Sequence, residues 1–241
     1  MKRLPMLLLP LVLAACQSVG VVTPEELPPL RESALGEPLE FSGDVENWTA
    51  GQTAPVLVGQ TTVGLVRSDG TLSVSAQPAP LSLAEVEDVL LPAPGGGEER
   101  ACSLRTLTFS AQAARAYRVS GLNLAASESR ALVPQTSPVP PSPMLLRSRG
   151  ETQVVLVYVD RDVRISGQKS CTGKYWPWDA SASTWARGSS INVFLRKGWN
   201  TVSITEKYLG ENKWQLVVQG GDTTPATPWR YNGVPLSAAP F

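Results

Sequence analysis

Thr152-Gln153-Val154-Val155-Leu156-Val157-Tyr158-Val159-Asp160 is the most hydrophobic β-type run in the chain after its N-terminal segment. A half-buried strand alternates apolar and polar residues, whereas this one is continuously apolar from Val154 to Val159, which suits a central strand covered on both faces. Asp160-Arg161-Asp162 reads as a turn, and Val163 to Gly167 as the returning strand. Farther on, Ile191–Leu195, Thr201–Thr205 and Trp214–Gln219 read as three successive strands, with Lys197-Gly198-Trp199-Asn200 at the tight turn between the first two and Glu211-Asn212-Lys213 leading into the third.

Upstream, the same short-strand pattern covers Leu39–Asn47, Pro55–Gly59, Thr61–Arg67 and Thr71–Ala76. Asp69-Gly70 between the last two marks a hairpin, because its glycine takes positive φ without steric cost. Strand patterns recur at Cys102–Ser110 and Arg115–Leu124. One helix is expected: Leu83, Val86, Val89 and Leu90 fall at helical spacing, Ser82 and Glu85 stand at capping-box separation, and Pro92 to Gly97 ends the run. The 21 prolines and 20 glycines favour short strands and loops over long helices. The expected fold is therefore all-β, one or two β-sandwiches with one short helix.

The chain opens with Met1-Lys2-Arg3, an apolar run from Leu4 to Ala15, and Leu13-Ala14-Ala15-Cys16. Two cations, a run too short to span a bilayer and broken by Pro5 and Pro10, and a small-residue cleavage site form the layout of a signal peptide. Leu13 to Cys16 resembles the lipobox of bacterial lipoproteins. That resemblance implies cleavage before Cys16, acylation of Cys16 with palmitate-type chains, and an exported protein lipid-anchored to the cell envelope. Gln17, where an aspartate would mark inner-membrane retention, implies the outer membrane if the cell has one.

The resulting organisation is a signal peptide at 1–15, a flexible tether at 16–36, a first β-sandwich half at 37–132, a linker at 133–149 and a second β-rich half at 150–241. The linker rests on Pro134, Pro138, Pro140, Pro141 and Pro143, a density no strand interior survives. The tail from Thr223 to Phe241 reads as coil along the body. Gly43-Asp44-Val45, Val63–Val66 and Asp69-Gly70-Thr71-Leu72-Ser73 resemble the prealbumin-like and carboxypeptidase-regulatory type of small sandwich, which implies an Ig-like architecture and no activity. Val-Tyr-Val-Asp at 157–160, Cys171 and Leu-Arg-Lys-Gly-Trp-Asn at 195–200 resemble a group of uncharacterised exported bacterial β-sandwich lipoproteins, a likeness that brings no catalytic residues.

Composition excludes several chemistries. There is no histidine, so Ser-His-Asp and Cys-His catalysis and His-ligated metal centres are out. Of 21 basic residues, Lys2 and Arg3 leave with the signal peptide, and the remaining 19 face 21 acidic ones. A chain so balanced has no basic face for nucleic acid. No cofactor or metal is implied; Asp160 and Asp162 lack the further oxygens of a calcium loop. After Cys16, Cys102 and Cys171 remain, and in an oxidising compartment two cysteines most economically form one disulfide.

Six of the seven tryptophans follow residue 170, and Tyr175, Trp176, Trp178 and Trp185 cluster. Exposed, such rings make a ligand-binding platform for a sugar or peptide; buried, they cap the body. The expected function is thus non-enzymatic: a lipid-anchored binding or structural module for an envelope protein or glycan. The alternative is an envelope hydrolase using carboxylates such as Asp160, Asp162 and Asp179 as acid and base, although turn aspartates more often bond their own backbone.

Overall fold

A computed structural model describes residues 20–76, 82–94, 98–125, 144–175, 184–222 and 228–231. In chain order the strands are β1 (Ala34–Gly36), β2 (Leu39–Glu46), β3 (Ala54–Val58), β4 (Thr61–Val66), β5 (Thr71–Ala76), β6 (Ala84–Glu85), β7 (Glu98–Arg105), β8 (Thr108–Phe109) and β9 (Arg115–Val119). They continue as β10 (Leu122–Leu124), β11 (Met144–Arg149), β12 (Thr152–Val159), β13 (Val163–Lys174), β14 (Thr184–Leu195), β15 (Gly198–Gly210), β16 (Lys213–Gly220) and β17 (Trp229–Tyr231). Among the described residues a single short helix, α1 (Val86–Leu90), interrupts them. The all-β class holds.

The expected sandwich gives way to a closed barrel. Hydrogen-bonded neighbours run β2, β5, β4, β3, β10, β11, β17 and back to β2, a ring of seven strands. Closure leaves the ring without an open edge. Alternation fills its interior: Val56 and Val58 from β3, Leu72, Val74 and Ala76 from β5, Leu122 and Leu124 from β10, with Leu39 and Leu145 fully buried. The closing stave is β17, which lies in the tail read as coil. Three residues with three prolines nearby carry little strand signal, yet Trp229 supplies a large buried ring to the barrel core, and pairing with β2 and β11 does the rest.

A second sheet runs β6, β9, β12, β15, β16, β14, β13 and then β7 and β8. It wraps a separate core of Val155, Val157, Val159, Val163, Ile165, Ile191, Val193, Val202 and Val218, roofed by Val86 and Leu90 of α1. Thr152–Val159 is the shared wall, as its unbroken apolar run implies. Val155, Val157 and Val159 enter the second core, while Leu156 enters the barrel-side core together with Trp199 of β15.

The connections differ from those expected. The β14 to β15 turn contains Gly198 at φ 98°, and the Asn200 side chain closes it by accepting from the Arg196 N–H and donating to the Arg196 and Gly198 carbonyls. It is no hairpin, because β16 lies between the two strands, parallel to β14. Likewise β12 pairs with β9 and β15, not with β13. Gly70 does take φ 89°, and Asp69 accepts from the Thr71 N–H at 2.8 Å, in a loop of Arg67 to Gly70. Arg115–Leu124 splits at Ser120-Gly121, where the chain passes from the second sheet to the barrel; a Cβ on Gly121 would stand 2.6 Å from Leu146. The Ser82–Glu85 capping box does not form, because Ala84-Glu85 is drawn out as β6 against β9 and Glu85 becomes an uncapped N-cap.

Residues 133–143 of the expected linker lie outside the described residues, and 144–149 form β11, inside the barrel ring. Strands on both sides of the linker thus share one hydrogen-bonded system.

Residues 20–36, read as a tether, instead form a strap along the body. Val22 and Ser33 are buried, and Ala34 pairs with Asn200. Even-numbered residues of β13 and β14 hold it: Ser170 Oγ donates to the Val22 carbonyl at 2.7 Å, Gln168 Nε2 to that of Glu25 at 2.7 Å, and Asn192 Nδ2 to that of Pro28 at 2.9 Å, with Ser190 also donating to Glu25. Glycines let its backbone close in. A Cβ on Gly188 would lie 3.0 Å from the Val22 carbonyl oxygen and from Pro24 N, and one on Gly220 2.7 Å from the Arg31 oxygen. The strap's prolines bar a helix but not an extended chain that offers carbonyls to a polar sheet face.

Candidate functional site

On β14 the odd-numbered residues face the second core and the even-numbered ones the strap. Arg187 is odd-numbered, so strand geometry aims a guanidinium inward, and only 4% of the residue is exposed. It emerges into a cleft of about 330 Å³ between the end of α1 and the second sheet. Leu90, Pro92 and Pro94 form one wall, Ile204 of β15 and Leu216 of β16 the other, and Arg118 of β9, Gln153 of β12, Glu151 and Glu206 supply further polar groups.

Arg187 Nη2 donates to the Leu91 carbonyl at 3.0 Å. Its Nη1 stands 4.0 Å from Glu206 Oε1, beyond hydrogen-bond range, and its Cζ lies 6.0 Å from the Trp185 ring centre. Burial pushes the Arg187 pKa down to about 10, against the pull of Glu206 and Glu99. Arg118 Nη2 reaches Gln153 Oε1 at 3.4 Å, Gln153 Nε2 is spent on the Ser120 carbonyl at 2.8 Å, and Arg118 Nε is buried with no hydrogen-bond partner. Burial lowers the Arg118 pKa too, opposed by Glu206. A guanidinium offers five N–H donors, and that of Arg118 Nε is one which the acceptors of the cleft leave unmet.

Neither arginine was among the residues singled out from the sequence. The signal was present in Trp185-Ala186-Arg187-Gly188-Ser189-Ser190-Ile191, where a cation stands two and four places from residues with buried-strand character.

Of the two readings of the aromatic cluster, its described members fit the buried one and not the exposed platform. Trp185 is fully buried, its Nε1 without a partner, because it lies on the inward face of β14. Tyr175 is half-buried, its hydroxyl accepting from Trp214 Nε1 at 2.8 Å. Trp176, Trp178, Asp179 and Cys16 lie outside the described residues.

Asp160 and Asp162 act as turn anchors. Asp160 Oδ1 accepts from the Arg115 N–H at 2.9 Å and its carboxylate pairs with Arg161; partial desolvation raises its pKa, but these bonds outweigh it and hold the carboxyl below its ordinary range. Asp162 accepts from the Lys197 N–H at 2.8 Å and, with Arg196 beside it, is likewise lowered. A general acid at neutral pH needs the opposite shift.

Cys102 and Cys171 are joined in a disulfide, as their count implies, between register partners of β7 and β13. Glu99 lies beside them, and this is the one grouping of metal-type ligands among the described residues; both sulfurs are spent on each other. Lys169, 5% exposed, bridges Glu87 of α1 at 3.0 Å and Glu99 of β7 at 2.6 Å, which pins the helix roof to the sheet.

No family model, curated protein or solved structure matches the chain. The fold and site therefore define a class only: an all-β protein with a seven-strand barrel, a second wrapped sheet and an arginine-bearing cleft between helix and sheet.

Proposed function

We propose that the chain is a lipid-anchored cell-envelope protein that acts by binding, holding an envelope protein or glycan close to the membrane. The observation that carries this reading is the docked strap. The acyl carrier would be Cys16, six residues before Val22, whose side chain is buried and whose carbonyl is bonded to Ser170. Six extended residues span about 20 Å at most, so a lipid on Cys16 holds the body against the bilayer, where a free twenty-residue tether would let it stand well away. Val21, Leu27 and Leu30 on the strap are 64%, 47% and 44% exposed, apolar side chains available to a lipid surface. Among the described residues no helix is long and apolar enough to cross a membrane, and the anchor of this reading requires none.

The test is metabolic labelling with an alkyne fatty acid. Wild type is expected to carry the label and sediment with membranes, and Cys16→Ser to lose both. An unlabelled wild-type protein overturns the proposal.

A further inference from the structure

The cleft beside α1 combines three features whose joint meaning the fold alone does not require. Two guanidiniums line one opening: Arg187 is almost fully buried and spends Nη2 on the Leu91 carbonyl, and Arg118 has its Nε buried without a hydrogen-bond partner among the described residues. The nearest carboxylate to Arg187, that of Glu206, stops at 4.0 Å and is 43% exposed, so it balances charge without taking up the fork. The walls beyond the polar end are apolar, from Leu90 and Pro92 on one side and Ile204 and Leu216 on the other. A buried ion pair built only for the fold brings its partners into contact and satisfies their protons, since unpaired burial is costly.

We propose that this cleft binds a small ligand with an oxyanion head, a carboxylate or a phosphate monoester, on an apolar body. Arg187 and Arg118 receive the oxygens, for which planar forks are suited, and the body lies between the proline-rich exit of α1 and the sheet. The volume of about 330 Å³ lies at the small end of ligand sites and fits a head group with one ring or a short chain. Glu206 and Glu151, also at the cleft, set the selectivity: they repel a bare polyanion and tolerate a head group that engages both arginines. The charge of Glu206, 4.0 Å from Arg187, is the one that opposes the ligand's head group there. This inference rests on the binding half of the function proposed above and not on the membrane address; the labelling experiment can fail while this one succeeds.

The experiment titrates the full chain, in detergent, with benzoate and phenyl phosphate by isothermal calorimetry, with benzamide as the neutral isostere of benzoate. At least one anion is expected to bind saturably at a single site and benzamide not to, and the comparison of the two anions identifies the head group. Arg187→Gln is expected to weaken that anion by at least about tenfold, Arg187→Lys by less, and Glu206→Gln to tighten it several-fold. The Glu206 variant carries the discrimination, because a purely structural Arg187–Glu206 pair predicts lost thermal stability and no gain in affinity. Should Arg187→Gln fail to fold by circular dichroism, Arg118→Gln and Glu206→Gln decide. Benzamide binding as well as benzoate, neither anion saturating by about 10 mM, or unchanged affinity in Arg118→Gln would each overturn the site.

Discussion

Removing the Cys102–Cys171 bond is the perturbation whose size the structure fixes best. The bonded residues are 69 apart in sequence and directly opposed in the β7–β13 ladder. Closing a loop of that length removes about 15 cal/mol/K of unfolded-chain entropy, or about 4 kcal/mol at 25 °C. Because Cys171 is 4% exposed, the Cys102→Ala, Cys171→Ala double variant also loses sulfur packing, adding about 1 kcal/mol that simple reduction of the wild type does not. The assay is guanidinium unfolding followed by tryptophan fluorescence, oxidised against reduced. With a slope of about 5 kcal/mol/M for a chain of this size, the midpoint should fall by roughly 0.8 M. The loosening is also directional. β7 carries Glu99, which with Glu87 holds Lys169, so amide exchange should rise first in β7 and α1. Coincident oxidised and reduced curves, or two free thiols titrated in the native protein, would refute the reasoning.

Three other outcomes follow from the packing. Gly188→Val puts a branched side chain where even a Cβ lies 3.0 Å from the Val22 oxygen; it should cost about 1–3 kcal/mol and open residues 20–33 to limited proteolysis, while resistance equal to wild type would mean that the strap is not docked there. Trp199, 2% exposed, has an indole N–H with no partner, so Trp199→Phe should cost about 1–2 kcal/mol in thermal or chemical unfolding against about 3–5 kcal/mol for Trp199→Ala; equal losses would show that the nitrogen matters. Asp160 and Asp162 have folded pKa values below their unfolded ones, so their contribution is present above about pH 4 and lost as pH falls through the folded values; Asp160→Asn with Asp162→Asn should flatten the acid limb of a stability–pH profile, and an unaltered limb would contradict the assigned bonds.

Much of the strand inventory was legible because it rests on local pattern. Thr71–Ala76 alternates, Asp69-Gly70 supplies its positive φ, and the unbroken run at 152–159 demands cover on two faces and has it. The helix boundary was misread because Ala84-Glu85 obeys a partner strand in preference to its own propensity. Strands β13 and β14 run longer than their apolar cores suggest, since Gln168, Ser170 and Ser190 look like loop until the strap supplies the carbonyls their side chains bond.

The sequence by itself determined the all-β class, the turn positions, the pairing of two cysteines and the absence of histidine chemistry, because each depends on residues close in the chain or on counts. Tertiary structure alone decided that β17 closes a barrel, that residues 20–36 lie down as a strap, and that Arg118 and Arg187 share a cleft. Those outcomes are contacts between segments tens to nearly two hundred residues apart. Backbone polar groups and buried charges accept whichever distant partner satisfies them, and no local periodicity encodes that choice.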